Sequence, residues 1–336
     1  MKQLLYIGNK LSHKYKTPTS IETLGKLLEV EGFTVKTASK KTNKVFRLLD
    51  MLYSVVIYKK NTAFVLIDTY STSNFYYAFL VSQLCRFFKL KYIPILRGGN
   101  LPNRIKKSPN LSKKIFNNAY KNIAPSKYTQ SNFENFGYKN IICIPNSIEL
   151  KKYPFQEKEF SNVNLLWVRS FSEIYNPILA IKILKALKDQ SISVSLCMIG
   201  PENDGSLQKT KAYAKQLNVE VIFTGKLTKN EWIDLSKNFN IFINTTNFDN
   251  MPVSVIEAMA LGFPIISTNV GGVPFLINNE VDGVLVEPNN VEAFVKAILE
   301  IKSKPEKAID MAVSARRKAE HFDWNVVKKQ WIKLLQ

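Results

Sequence analysis

NTTNFDNMPVSVIEAMALGFPIISTNVGGVP, residues 244–274, is the stretch whose reading decides the fold. An apolar run over 239–244 reads as a strand feeding a polar loop, and a helix opens near Pro252 with Glu257 about one turn in. A second strand over 263–267 ends in Gly271-Gly272. A loop that meets a helix N-terminus offers free backbone N–H groups and the positive end of the helix dipole, so it favours anions. A carboxylate one turn in cannot serve phosphate. It can accept hydrogen bonds from hydroxyls, and a ribose has two. The local chemistry is that of a nucleoside diphosphate joined to a sugar.

Outward from this stretch, short apolar strands alternate with helical patterns almost throughout, which predicts parallel sheets with helices on both faces. Strands are expected at 3–8, 33–37, 63–68, 92–96, 122–125 and 141–145, then at 164–168, 193–199, 219–224, 241–244, 264–267 and 283–286. Helices fill the gaps, among them 19–31, 43–58 and 74–88. Residues 146–162 are polar, charged and aperiodic, and read as a linker. The expected fold class is α/β, with two Rossmann-like, doubly wound parallel-sheet domains facing a central cleft. The expected domains are 1–150 and 151–321, and 308–336 reads as two helices broken near His321-Phe322-Asp323-Trp324.

The 244–274 run resembles the donor-site signature of retaining glycosyltransferases of the GT-B fold, family four (glycosyl transferases group 1). That family carries two acidic residues with seven between them, then E-A-M-A-x-G-x-P-[IV]-[IV] and a G-G-[VI] turn. Here the pair is Asp249 and Glu257, followed by Ala258-Met259-Ala260-Leu261-Gly262-Phe263-Pro264-Ile265-Ile266 and Gly271-Gly272-Val273. The first acid is usually Glu, so Asp249 keeps the charge on a shorter arm. The resemblance implies retaining transfer from a nucleotide-sugar donor to a glycan or lipid-linked acceptor, in polysaccharide assembly. It implies no cofactor and no metal, the helix dipole and basic side chains standing in for a divalent ion. No D-x-D motif or metal-spaced cluster appears in the sequence, and Glu202-Asn203-Asp204 reads as a solvated turn.

Residue by residue, the resemblance assigns Glu257 to the ribose and Asp249 to sugar hydroxyls. Arg169 and Lys226 go to the diphosphate, with the helix opening at Met251-Pro252-Val253-Ser254. Relatives read G-R-L and then a Lys; here Arg169 comes one position early and Tyr175 stands where that Lys is expected. A guanidinium can still hold phosphate bidentately, at roughly 1.5–3 kcal/mol for a charge-assisted bond. Gly225, ahead of Lys226, and Gly200-Pro201-Glu202 would border the base. In the first half Gly8 follows the first strand, where relatives have a glycine-rich loop beside the donor phosphates; Thr17-Pro18-Thr19-Ser20 replaces their G-G pair. Arg97 stands where many relatives place a His near the sugar, and it can donate to oxygens but not act as a base. With His13 and His321 alone, a histidine-dependent mechanism is not expected. Ile144-Pro145-Asn146-Ser147-Ile148 matches the turn that closes the first domain, and Phe322-x-Trp324 matches the start of a helix, 322–336, that crosses back to it in similar enzymes.

The net charge of +20 is uneven. Residues 1–150 hold 24 Lys and Arg against 7 Asp and Glu, a balance of +17, whereas residues 151–336 hold 23 against 20, a balance of +3. Nucleic acid, an anionic membrane surface or a phosphate-bearing substrate would each account for this. Nucleic acid is not expected, for want of a motif or an aromatic-rich basic platform. Phe46, Leu49, Leu52 and Val56 fall at helical spacing among Lys40, Lys41, Lys44, Lys59 and Lys60, and read as a face packed on the sheet. Arg104, Lys106, Lys107, Lys113 and Lys114 make a second basic cluster; an anionic membrane surface accounts for both. Cys85, Cys143 and Cys197 are scattered in apolar surroundings and read as buried free thiols of a reducing compartment. With no leader or long apolar run in the sequence, a cytoplasmic protein is expected, or one peripheral on the inner membrane face. Two rival functions use the same residues. A GT-B nucleotide-sugar epimerase needs acid/base histidines, in which the chain is poor; a non-catalytic binding module is left open by Asp249, Tyr175 and Arg97.

Overall fold

The computed structural model describes residues 2–11, 19–97 and 99–336. His13, Thr17-Pro18 and Gly98 lie outside the described residues. The chain divides into two compact units, Met1–Pro145 with Lys328–Gln336, and Asn146–Val327.

The first unit contains β1 (Gln3–Ile7), α1 (Ser20–Val30), β2 (Thr34–Ala38), α2 (Lys44–Tyr58), β3 (Thr62–Thr69), α3 (Asn74–Phe87), β4 (Tyr92–Leu96), α4 (Leu101–Lys107), α5 (Pro109–Phe116), β5 (Asn122–Ala124), α6 (Lys127–Asn135) and β6 (Ile141–Cys143). Among the described residues its strands form one parallel sheet in the order β2-β1-β3-β4-β5-β6. Both faces of such a sheet are covered, which is why β3 is buried almost end to end. Leu5, Ile7, Val65 and Ile67 point to the face covered by Met51 and Val55 of α2 and by Ala78 and Val81 of α3.

Here the structure corrects one reading. Of the expected α2 face, Phe46, Leu49 and Val56 are exposed, and Leu52 is only partly buried; Arg47, Met51 and Val55 go inside. The helix carries two apolar stripes at helical spacing. Periodicity alone does not say which of them meets the sheet.

The second unit contains β7 (Val163–Val168), α7 (Pro177–Asp189), β8 (Val194–Ile199), α8 (Ser206–Gln216), β9 (Ile222–Gly225), α9 (Lys229–Leu235), β10 (Ile241–Asn244), α10 (Val253–Ala260), β11 (Ile265–Thr268), β12 (Val284–Val286), α11 (Val291–Ser303) and α12 (Pro305–Glu320). A last helix, α13 (Trp324–Leu335), begins in this unit and ends in residues that cluster with the first. The sheet order is β12-β11-β10-β7-β8-β9. Chain direction across the sheet reverses between β7 and β10, and the crevice beyond their carboxyl ends is where open α/β sheets bind ligands.

Residues 146–162 are not a free linker. Tyr153, Lys158 and Phe160 are buried; the Gln156 amide donates to Leu261 O at 3.2 Å, and Lys158 Nζ donates to Ser236 O at 3.3 Å. The segment packs on the second unit through isolated side chains, which leave no periodicity to read. Burial lowers the Lys158 pKa to about 8. The Phe322–Trp324 break is pinned to the same region: Ile148 N donates to Phe322 O at 2.9 Å and Trp324 N to Ile148 O at 2.8 Å. Cys85 and Cys197 are buried, and burial pushes both thiols up to about 12. Cys143, on the edge strand β6, is only half-buried. Among the described residues no helix is long and apolar enough to cross a membrane.

Candidate active site

Arg169 follows β7, and Asp249 sits on the loop after β10, so the two flank the switch point. Their side chains form an ion pair and are only 13% and 14% exposed. The Arg169 guanidinium lies over the Tyr175 ring, 4.1 Å from its centre. Asp249 Oδ1 also accepts from the Asn250 amide at 2.8 Å. Glycines bring these loops close together. A Cβ on Gly200 would stand 1.7 Å from Arg169 O, one on Gly271 2.2 Å from Asp249 O, and one on Gly272 1.9 Å from Asn250 O. The Gly272 amide then donates to Asp249 O at 2.9 Å. The Gly-Gly turn is thus the backstop of the Asp249 loop, because only residues without a Cβ allow that approach.

Met251 and Pro252 are buried and lead into α10. The amides of Val253 and Ser254 open its first turn, where no intrahelical acceptor exists; the buried Ser254 hydroxyl has no partner among the described residues. Glu257, 3% exposed, accepts from the Tyr153 hydroxyl at 2.7 Å and pairs with Lys229. Burial first, and the Glu257 charge second, push the Tyr153 phenol far above its ordinary pKa. Lys226 follows Gly225, whose φ of +71° suits glycine. Gly225 O accepts from the Gly200 amide at 2.9 Å, which ties the ends of β8 and β9 together.

The sequence reading missed Tyr153 and Lys229. Tyr153 was hidden in the supposed linker. Lys229 had a signal, since Thr228-x-x-Glu231 is a capping box that starts α9 at Lys229, beside the Lys226 loop.

Gly8 and Arg97 lie in the first unit, brought together by a residue the reading also missed. Asp68, fully buried near the end of β3, takes Arg97 Nε at 3.1 Å and the Tyr6 hydroxyl at 3.0 Å on one carboxylate oxygen. A Cβ on Gly8 would stand 2.8 Å from the other oxygen. Burial raises the Asp68 pKa, and the Arg97 charge opposes it. An acid within an otherwise apolar strand was the available signal. Among the described residues no group of three His, Cys, Asp or Glu could hold a metal ion.

Residues 151–318, which hold the Arg169–Asp249 pair, α10 and the Gly-Gly turn, match the model of glycosyl transferases group 1. The chain belongs to this family. Among curated proteins it is 26% identical over 211 residues to the Escherichia coli UDP-Gal:alpha-D-GlcNAc-diphosphoundecaprenol alpha-1,3-galactosyltransferase, covering 56% of this chain and 51% of that one. It is 25% identical over 142 residues to the D-inositol 3-phosphate glycosyltransferase of Rhodococcus jostii, covering 41% and 31%. The match thus spans about half the length of the first relative and less of the second. Among solved structures, Anabaena HepE in complex with UDP-glucose superposes with a TM-score of 0.78 at 16% identity, covering 99% of each chain. Sucrose-phosphate synthase of Thermosynechococcus elongatus gives 0.81 at 16%, covering 99% and 98%. These likenesses establish the fold as a two-domain, Rossmann-like GT-B fold.

Proposed function

We propose that the protein moves a sugar from a nucleoside-diphosphate sugar to a glycan or lipid-linked acceptor, with retention at the anomeric carbon and without a metal ion or cofactor. The observation that carries this is the meeting of Arg169, Asp249 and the first turn of α10 at one switch point, with Glu257 a turn behind. Arg169, Lys226 and the Val253 and Ser254 amides stabilise the leaving diphosphate. Met251 and Pro252 shape the turn that aims those amides, and Gly225 leaves room beside the base. Glu257 exchanges its present partners for ribose hydroxyls, and Asp249 takes hydroxyls of the sugar. Gly8 and Arg97 are the donor contacts of the first unit in this reading. The bond from the anomeric carbon to the diphosphate breaks as the acceptor oxygen bonds that carbon on the same face, through an oxocarbenium-like state. The acceptor's proton passes to the departing phosphate, so no side-chain nucleophile is needed.

The name of the E. coli relative gives a UDP-sugar donor and a diphosphoundecaprenol-linked acceptor. That supports a lipid-linked acceptor here, and work in polysaccharide assembly on the cytoplasmic face of a membrane. The test is a thermal-shift and slow-hydrolysis screen against UDP-, GDP-, ADP- and TDP-sugars without added metal, on the wild type and on Glu257→Ala. One nucleotide should raise the melting temperature and be released slowly, and both effects should vanish in the variant. No shift with any donor overturns the reading; binding without hydrolysis or transfer leaves only the binding module. The anomeric configuration of the product decides retention.

A further inference from the structure

Helix α2 has an apolar outer face that nothing among the described residues of its own unit covers. Phe46, Leu49, Tyr53, Val56 and Ile57 are 39–65% exposed, and at 100° per residue they lie on the arc opposite the buried Met51 and Val55. No polar residue interrupts that arc; Asp50 stands at its rim. A helix that only covers a sheet carries polar residues there. Neighbouring α3, on the same side of the sheet, exposes Tyr76, Leu80 and Phe87 along one line of its own outer face.

Cations bracket the stripe. Lys40, Lys41 and Lys44 are exposed at the N-terminal end; Lys60 is exposed at the other, beside Lys59, whose Nζ lies 4.1 Å from the centre of the Phe88 ring. The two groups are separated by a 15-residue helix, about 22 Å at 1.5 Å per residue. An apolar stripe between terminal lysines is the layout of a helix that lies in a bilayer interface, with its rings and branched chains at the acyl boundary and its ammonium groups among the headgroups.

We propose that the outer face of α2 docks this protein on an anionic lipid bilayer. Charge chooses the occupant. Residues 1–150 carry a balance of +17, so a second copy seated on this face would set lysine against lysine, whereas anionic headgroups neutralise the lysines as the acyl boundary takes up the stripe. The proposal deepens the membrane-face part of the proposed function by naming the surface, and it does not depend on sugar transfer.

The test is flotation of the full chain with vesicles of phosphatidylcholine alone or mixed with phosphatidylglycerol. The protein should float with the mixed vesicles only, and less as salt is raised. Binding should fall about tenfold or more in Phe46→Ser/Leu49→Ser/Tyr53→Ser, and equally in Lys40→Ala/Lys41→Ala/Lys44→Ala. Both variants change exposed side chains. They should keep the wild-type melting temperature and its shift with a donor nucleotide, which separates a failure of docking from a failure of the transferase reading. If the apolar variant does not fold, the lysine variant alone decides. Wild type that ignores anionic vesicles, variants that float as well as wild type, or a dimer abolished by the apolar variant without vesicle binding would each overturn the proposal.

Discussion

Each unit carries an arginine–aspartate pair at the carboxyl ends of its strands, and the two pairs are built differently. In the first unit Asp68 belongs to a strand, is fully buried, and shares one oxygen between Arg97 and Tyr6. In the second, both partners stand on loops: Arg169 just beyond β7 and Asp249 on a loop held from behind by Gly271 and Gly272. A pair set within the strand layer is fixed by the packing around it. A pair on loops over a switch point can exchange partners when a ligand arrives. The same two residue types are therefore held fast in one unit and left able to change partners in the other.

The sharpest way to break this comparison is to truncate both acids. Asp68→Ala removes the carboxylate that accepts from both Arg97 and Tyr6, and should cost about 3–5 kcal/mol in urea unfolding of the first unit. Asp249→Ala should cost only about 1–2 kcal/mol, while transfer falls by about a hundredfold or more. Equal stability losses would sink the distinction. A smaller effect is expected behind the loop. Gly272→Ala places a methyl 1.9 Å from Asn250 O, so the Asp249 loop must move. Transfer should drop by about a hundredfold, with a stability loss of about 1–3 kcal/mol; unchanged turnover would show that the turn does not aim Asp249.

The smallest effect concerns a buried charge of another kind. Lys158 is held by a carbonyl and lies over the Phe263 ring, 4.3 Å from its centre, with no carboxylate reaching it among the described residues. Its folded pKa of about 8 lies below the ordinary lysine value near 10.4. Below pH 8 the folded protein carries the buried ammonium; between there and about 10.4 the unfolded chain holds a proton that the folded one has lost, so stability from this site rises with pH. Lys158→Met should melt a few degrees above wild type at pH 7, and the gap should close as pH rises past 8. A gap constant from pH 7 to 10 would mean that Lys158 is not buried as a cation.

The architecture was legible because parallel strands bury both faces and so appear as continuous apolar runs, as in 63–68 and 241–244. The Asp249–Glu257 stretch was legible because its glycines and proline punctuate it in register. Three things were not. The choice between the stripes of α2 depends on the sheet beneath it, which leaves no mark in the helix. Tyr153 and Lys158 are buried one at a time within an aperiodic segment. Asp68 and Arg97 are 29 residues apart, and their contact exists only because β3 and β4 are neighbours.

The outer face of α2 has one more consequence. A helix that crosses over between parallel strands of one sheet runs back against them, so if α2 rests in a headgroup layer, the strands of the first sheet lie along the membrane instead of pointing into it. The edge that carries Gly8, Asp68 and Arg97 then opens sideways. A molecule tethered in the bilayer reaches that edge by searching a plane, and its encounter rate follows surface density and lateral diffusion instead of bulk concentration.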